Sequence, residues 1–300
     1  MSLALLTPLK LSILHLICQT PASHWIGKHL PPAMLFALCR QVVGMSVRFN
    51  PHTRRYLRPI QSVLEPHIGG DRLRNVAKMY LVYRRYLDNL PFVWRRWSEN
   101  GRTWYDIAGE EHVKEALTAG RGAILLSSHS YGISRLIPPI LSGRGYRISR
   151  VGGWDQEETV RHWGNDSERD WKHLHVGADA WARLRVSKQV AGALRENSLV
   201  YMSMPNRPSG IPEQEVRIFN RRFFIDPAMM RLFDGLRATV LPCFAICTDT
   251  GKIKMNVHPP LTGGPLEMSK SYGKLYSRYL TEHPEFCRFW KPLLQRKEQW

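Results

Sequence analysis

Gly120-Arg121-Gly122-Ala123-Ile124-Leu125-Leu126-Ser127-Ser128-His129 reads as a helix stop, a tight turn and a buried strand that runs out into polar residues. Glu110 to Ala119, just before it, has helical patterning that the glycines at 120 and 122 terminate. The short apolar run Ala123 to Leu126 has the profile of a strand covered on both faces. The chain leaves that strand through Ser127-Ser128-His129-Ser130-Tyr131-Gly132. A strand edge that feeds a loop is where α/β sheets place their chemistry.

Working outward, further apolar or alternating runs lie at Tyr146 to Val151, Leu199 to Met204, Val216 to Phe224, Ala238 to Cys247 and Lys252 to Val257. Asp179 to Asn197 is helical in pattern, and Asp226-Pro227 is an N-cap followed by proline at the first helical position. Strands that alternate with helices predict an α/β fold. Val216 to Phe219 and Arg222 to Ile225, around Asn220-Arg221, read as a hairpin, so the central sheet is expected to be mixed and flanked by helices. With no internal repeat or low-complexity linker, the chain divides into an N-terminal helical, membrane-associating extension over 1–100 and an α/β body over 101–300.

The N-terminal part is apolar but interrupted. Lys10 and Lys28 leave only seventeen uncharged residues between them, with His15, Gln19, Pro21, Ser23 and His24 among these, so a spanning helix is not expected. Met1 to Cys18 and Pro32 to Val47 instead have the spacing of helices that lie on a membrane or pack on the body. No convincing cleavage signature follows the first run. From Arg54 to Trp104 arginines and aromatics interleave, a pattern that suits lipid headgroups or nucleic acid.

The balance of charge points the same way. Lys and Arg number 43 against 25 Asp and Glu, a formal net charge of +18, and 31 of the basic residues are Arg against 12 Lys. Guanidinium groups favour bidentate contact with phosphate, so the candidate anionic partners are nucleic acid, anionic lipid headgroups or a phosphorylated cofactor. At 43% hydrophobic and 23% charged over 300 residues, the chain is neither disordered nor collagen-like. Its cysteines, Cys18, Cys39, Cys243, Cys247 and Cys287, are odd in number and lack zinc-ribbon spacing. On a strand Cys243 and Cys247 would stand ~13 Å apart, which suits buried, reduced thiols.

The order of these features resembles the bacterial lipid A biosynthesis late acyltransferase family, within the glycerolipid acyltransferase-like folds, over roughly residue 70 to the end. Three places carry the resemblance: the Gly120 to His129 run quoted above; Val216-Arg217-Ile218-Phe219-Asn220 through Leu241-Pro242, similar to a Phe-rich hairpin and the helix and strand after it; and His283-Pro284-Glu285 with Trp290-Lys291. The resemblance implies transfer of a fatty acyl group from acyl carrier protein or acyl-CoA, as donor substrate without a further cofactor, to a hydroxyl on a phosphorylated glycolipid. It also implies a peripheral place on the cytoplasmic face of the inner membrane.

In that family the motif is His, four residues, then Asp or Glu. A His at a strand end removes the proton from the attacking hydroxyl or amine, and the acid orients the imidazole and offsets its charge. Backbone N–H groups or an Arg hold the oxyanion. Here His129 is present, but Ser134 stands at the acid's position and Arg135 follows it; the family resemblance also implies an acid where Asn206 stands. Three explanations remain open: His129 works alone, with Ser134 offering only an uncharged hydrogen bond; a carboxylate from Asp155, Glu157 or Asp166 swings in; or the fold is kept as a binding module. Ser128 or Ser130 as a nucleophile is geometrically poor, because neighbours on an extended chain point to opposite faces.

His162, His173 and His175 near Asp166, Glu168 and Asp170 follow no recognised metal spacing, and no metal is expected. The glycines form no dinucleotide or phosphate-loop fingerprint. Arg217, Arg221 and Arg222 on the hairpin suit phosphate on a phosphopantetheine arm, a CoA or a headgroup, while Arg121 and Arg135 flank His129 in sequence and are expected to steer the same anion. Two functions follow: an acyltransferase with His129 as general base, or an impaired relative that binds anionic lipid or nucleic acid.

Overall fold

The computed structural model describes residues 31–99, 104–128, 133, 136–152, 171–176, 180–204, 206–207, 215–219, 221–225 and 227–286. Its centre is a seven-stranded sheet in the order β1 (Tyr105–Ala108), β10 (Ile253–Val257), β9 (Thr239–Cys247), β2 (Ala123–Ser127), β5 (Leu199–Ser203), β3 (Ile148–Gly152) and β4 (Lys172–His175). β2 lies in the middle, parallel to both neighbours, with Leu125 opposite Tyr201 on one side and Leu241 on the other. All five of its residues are buried, which is why its sequence is a continuous apolar run. The runs read as strands from 123, 199, 238 and 252 begin within a residue of the observed elements.

The sheet is mixed, as expected, for a different reason from the one given by the sequence. β10 runs antiparallel to β9 and parallel to β1. The hairpin does not join this sheet: β7 (Glu215–Ile218) and β8 (Arg221–Ile225) pair with each other and with β6 (Asn206–Arg207) as a separate three-stranded sheet. Its register also moves the turn by one residue. Ile218 pairs with Arg221, and Phe219 takes the left-handed φ of 48° that a two-residue hairpin turn requires at its first position. β6 leaves from the carboxyl end of β5, so this small sheet stands beyond the carboxyl edge of the large one.

The helices are α1 (Pro32–Phe49), α2 (Pro51–Leu64), α3 (Gly70–Glu99), α4 (Glu110–Thr118), α5 (Ile137–Gly143), α6 (Ala180–Arg195), α7 (Pro227–Gly235) and α8 (Pro265–Glu282). Prolines open α1 and α2, where the missing N–H costs nothing, and the Asn50 side chain accepts a 2.9 Å bond from the His52 backbone to cap α2. The described helices α1 to α3 end at Glu99 and β1 begins at Tyr105, and one hydrophobic core runs across the two parts. Phe36 of α1 packs on Tyr83 and Tyr86 of α3, and Tyr83 stacks on Phe286 at 4.6 Å. The Tyr86 hydroxyl and the Trp104 indole N–H both donate to the Gly251 carbonyl, at 2.9 and 2.8 Å, which ties α3 to the turn between β9 and β10.

Among the described residues no helix is long and apolar enough to cross a membrane. Met1 to Cys18 lies outside the described residues, as do Cys18, Cys287, Trp290 and Lys291. Cys243 and Cys247 are buried on β9, where burial pushes the Cys243 thiol up to about 12 and keeps it protonated.

Candidate functional site at the carboxyl edge of β2

β2 ends at Ser127, and Ser128 after it is equally buried, with both side chains about 1% exposed. The Ser127 carbonyl accepts two hydrogen bonds at 2.8 Å, one from the Met204 backbone N–H at the end of β5 and one from the Tyr272 hydroxyl on α8. A carbonyl has two lone pairs, so this acceptor is saturated, and the strand is fixed from two sides two residues before His129. Tyr272 is fully buried, and burial raises its phenol well above the ordinary range, so it stays a donor. Tyr201 on β5 is buried beside the Ser127 and Ser203 hydroxyls. Burial pushes its phenol up to about 12 against the opposing pull of those serines, although the contacts fall short of formed hydrogen bonds.

At the other end of β2 the turn is equally determined. Gly122 donates its N–H to the Asn197 side chain at 2.9 Å, and the Asn197 amide donates to the Leu117 carbonyl at 3.0 Å. One asparagine therefore joins the end of α4, the entry to β2 and the end of α6.

His129, Ser134 and Arg135 lie outside the described residues, as do Ser130, Asp155, Glu157, His162 and Asp166. Arg121 is exposed in the turn that enters β2, so the five-residue strand, ~16 Å at the usual rise, separates it from Ser128. It is not brought to the carboxyl edge, where Ser128 stands. Arg217 and Arg222 sit on the three-stranded sheet and share Glu215, with Arg222 Nε 2.9 Å from its carboxylate. Arg217, then Arg222, holds the Glu215 carboxyl below its usual range. Arg221 is in β8, and Asn206 pairs with Ile225 at the mouth of that sheet. These arginines thus stand on the carboxyl side of the large sheet, two of them partly neutralised.

His173 and His175 lie on β4 at an edge of the large sheet, and among the described residues no group of acids, histidines and cysteines is gathered as a metal site. The His283-Pro284-Glu285 run has a packing role: Pro284 and Phe286 are buried, Phe286 stacks under α3, and His283 Nδ1 is 3.7 Å from Glu285.

Tyr272 and Met204 escaped the sequence reading. The aromatic spacing Tyr272, Tyr276, Tyr279 marks a buried helix face, but nothing local shows that the first of these hydroxyls reaches a strand end 145 residues away. Tyr272→Phe keeps the volume and removes one donor from a saturated carbonyl. It is expected to lower unfolding stability by about 1 kcal/mol, read by chemical denaturation.

Ser127 and Ser128 stand at the carboxyl edge of the central strand of a mixed α/β sheet, the edge at which α/β proteins bind ligands. Residues 21–272 match the family model described as bacterial lipid A biosynthesis acyltransferase, and the chain belongs to that acyltransferase family. The match starts well before residue 70, so it takes in α1 and α2, and it stops short of His283-Pro284-Glu285. No curated protein matches the chain.

Proposed function

We propose that this protein transfers an acyl group from a thioester, on acyl carrier protein or CoA, to a hydroxyl or amine of a lipid or glycolipid at a membrane surface. His129 is the general base. The observation that carries this reading is the double anchoring of Ser127, which fixes the strand end two residues before His129 in the sequence, within the segment matched to the family. A strand edge held in this way positions a base with little freedom to lose on reaching the transition state. Arg217, Arg221 and Arg222 supply the phosphate contact for donor or acceptor, and Ser134 lends His129 a hydrogen bond without charge. The enzyme acts as a peripheral protein on the cytoplasmic face of the inner membrane.

A second reading rests on Ser134 and Asn206, which replace the two acids the resemblance implies: a protein that keeps the fold and binds anionic lipid. Release of free thiol from a panel of acyl-CoA and acyl carrier protein donors, with membrane extract as acceptor, separates the two. Thiol release coupled to a new acylated lipid supports the transferase. Tight lipid binding with no thiol release from any donor assigns the protein to the second reading.

A further inference from the structure

We infer that the groove between β7 and α8 is a second binding site, for a phosphorylated polyol of sugar size whose phosphate is held by Lys270 and Lys274. The site stands apart from the end of β2, and it does not depend on the transferase reading.

The groove is built by one close approach. Gly273 has no side chain, and a Cβ there would lie 2.6 Å from Val216 Cγ2, so β7 settles directly against α8. The Ser277 hydroxyl donates to the Arg217 carbonyl at 2.6 Å and fixes the strand along the helix. β7 is an edge of the three-stranded sheet, so nothing in that sheet continues past it. Along this seam lies a groove of about 580 Å³, a size at which proteins hold small ligands.

Charge selects the ligand. Four cations and two carboxylates line the groove, and both carboxylates are engaged: Glu215 with Arg217 and Arg222, and Glu282 with Arg278 at 2.9 Å. Lys270 and Lys274 make no ion pair among the described residues. Both are exposed one turn apart on α8, ~6 Å along its axis, where like charges oppose each other. A phosphate dianion between them replaces that repulsion with two charge-assisted contacts. The carboxylates stand at the two ends. Val216 meets Gly273 and the Arg217 carbonyl meets Ser277, so Glu215 falls toward Ser269, whereas Glu282 is the last residue of α8. An acidic helix or a nucleic acid laid along the groove would bring its own anions onto these ends. A compact ligand with one dianion and neutral hydroxyls meets no such conflict, because its hydroxyls donate to a carboxylate while its phosphate sits on the lysines.

Position separates the groove from the reactive edge. Tyr272, whose hydroxyl holds the Ser127 carbonyl, is two residues from each lysine. At 100° per residue both lysines leave α8 ~160° away from that tyrosine. The body of the helix, ~10 Å across, therefore stands between the groove and the end of β2.

Calorimetric titration of the full chain at low ionic strength is run with glucose 6-phosphate, inorganic phosphate, glucose and CoA, for the parent and for Lys270→Gln/Lys274→Gln, with the fold of each checked by circular dichroism. The expected result is that glucose 6-phosphate binds more tightly than inorganic phosphate, that glucose does not bind, and that the double variant weakens both phosphate ligands about tenfold or more. Unchanged glucose 6-phosphate binding by the folded variant overturns the inference. So does a parent chain that binds neither phosphate ligand, or that binds inorganic phosphate as tightly as glucose 6-phosphate. CoA binding that is lost with the two lysines assigns them to the thioester donor and overturns the separate site. All of these results are read without turnover, so failure of the transferase reading leaves them standing.

Discussion

Alanine at position 129 is expected to lower thioester turnover by ~10²–10⁴-fold while the fold and lipid binding stay intact, because general base catalysis contributes that much and nothing else in the run Ser127 to Gly132 accepts a proton near neutral pH. The partner at 134 makes the prediction two-sided. In serine proteases the analogous carboxylate is worth roughly 10⁴-fold, and a serine hydroxyl supplies its hydrogen bond but not its charge. Ser134→Asp is therefore expected to raise turnover in the parent and to do nothing in the His129→Ala background, since the acid works through the imidazole. The pH profile gives an independent readout. A neighbouring carboxylate favours the protonated imidazole, so the acid limb of kcat/KM moves to higher pH in Ser134→Asp. Thiol release by parent, single and double variants decides it; undiminished turnover in folded His129→Ala removes His129 from the chemistry.

What the sequence made legible follows from where water is excluded. β2, β5 and β9 are central and buried on both faces, so Ala123 to Leu126, Leu199 to Met204 and Ala238 to Cys247 are predominantly apolar runs, legible nearly to the residue. β1 and β4 escaped, and they are the two edges of the same sheet. Tyr105-Asp106-Ile107-Ala108 and Lys172-His173-Leu174-His175 are half solvated and only four residues long, too short for a pattern to stand out. Hairpin geometry is local, so Val216 to Ile225 was recognised; membership of a sheet is not, so its place in a separate one was missed. The site divides in the same way. The strand leading to His129 is visible in its own residues, whereas Tyr272 and Met204, which hold its end, come from distant elements that no local pattern joins to it.

The turn at the start of β2 carries a prediction of comparable size on stability. Gly120 and Gly122 both have positive φ, 72° and 62°, so an L side chain at either position bears the left-handed penalty, about 1–2 kcal/mol. Their surroundings differ. A Cβ at Gly120 meets nothing within 4 Å, whereas one at Gly122 would lie 2.5 Å from the Ser198 carbonyl oxygen, 2.9 Å from that of Leu194 and 3.0 Å from the Leu194 Cα. These are backbone atoms at the junction of α6 and β5, and they cannot swing aside as a side chain could. Relief requires parting β2 from β5 at the end where Asn197 ties Gly122 to Leu117. Gly120→Ala is expected to cost only the conformational penalty. Gly122→Ala adds the clash and the disturbance of a buried strand pair, for a total of roughly 3–5 kcal/mol, a large part of the 5–15 kcal/mol that stabilises a typical domain. Denaturant unfolding of the two variants measures the difference. Equal losses would mean that β2 and α6 separate freely at this end of the strand.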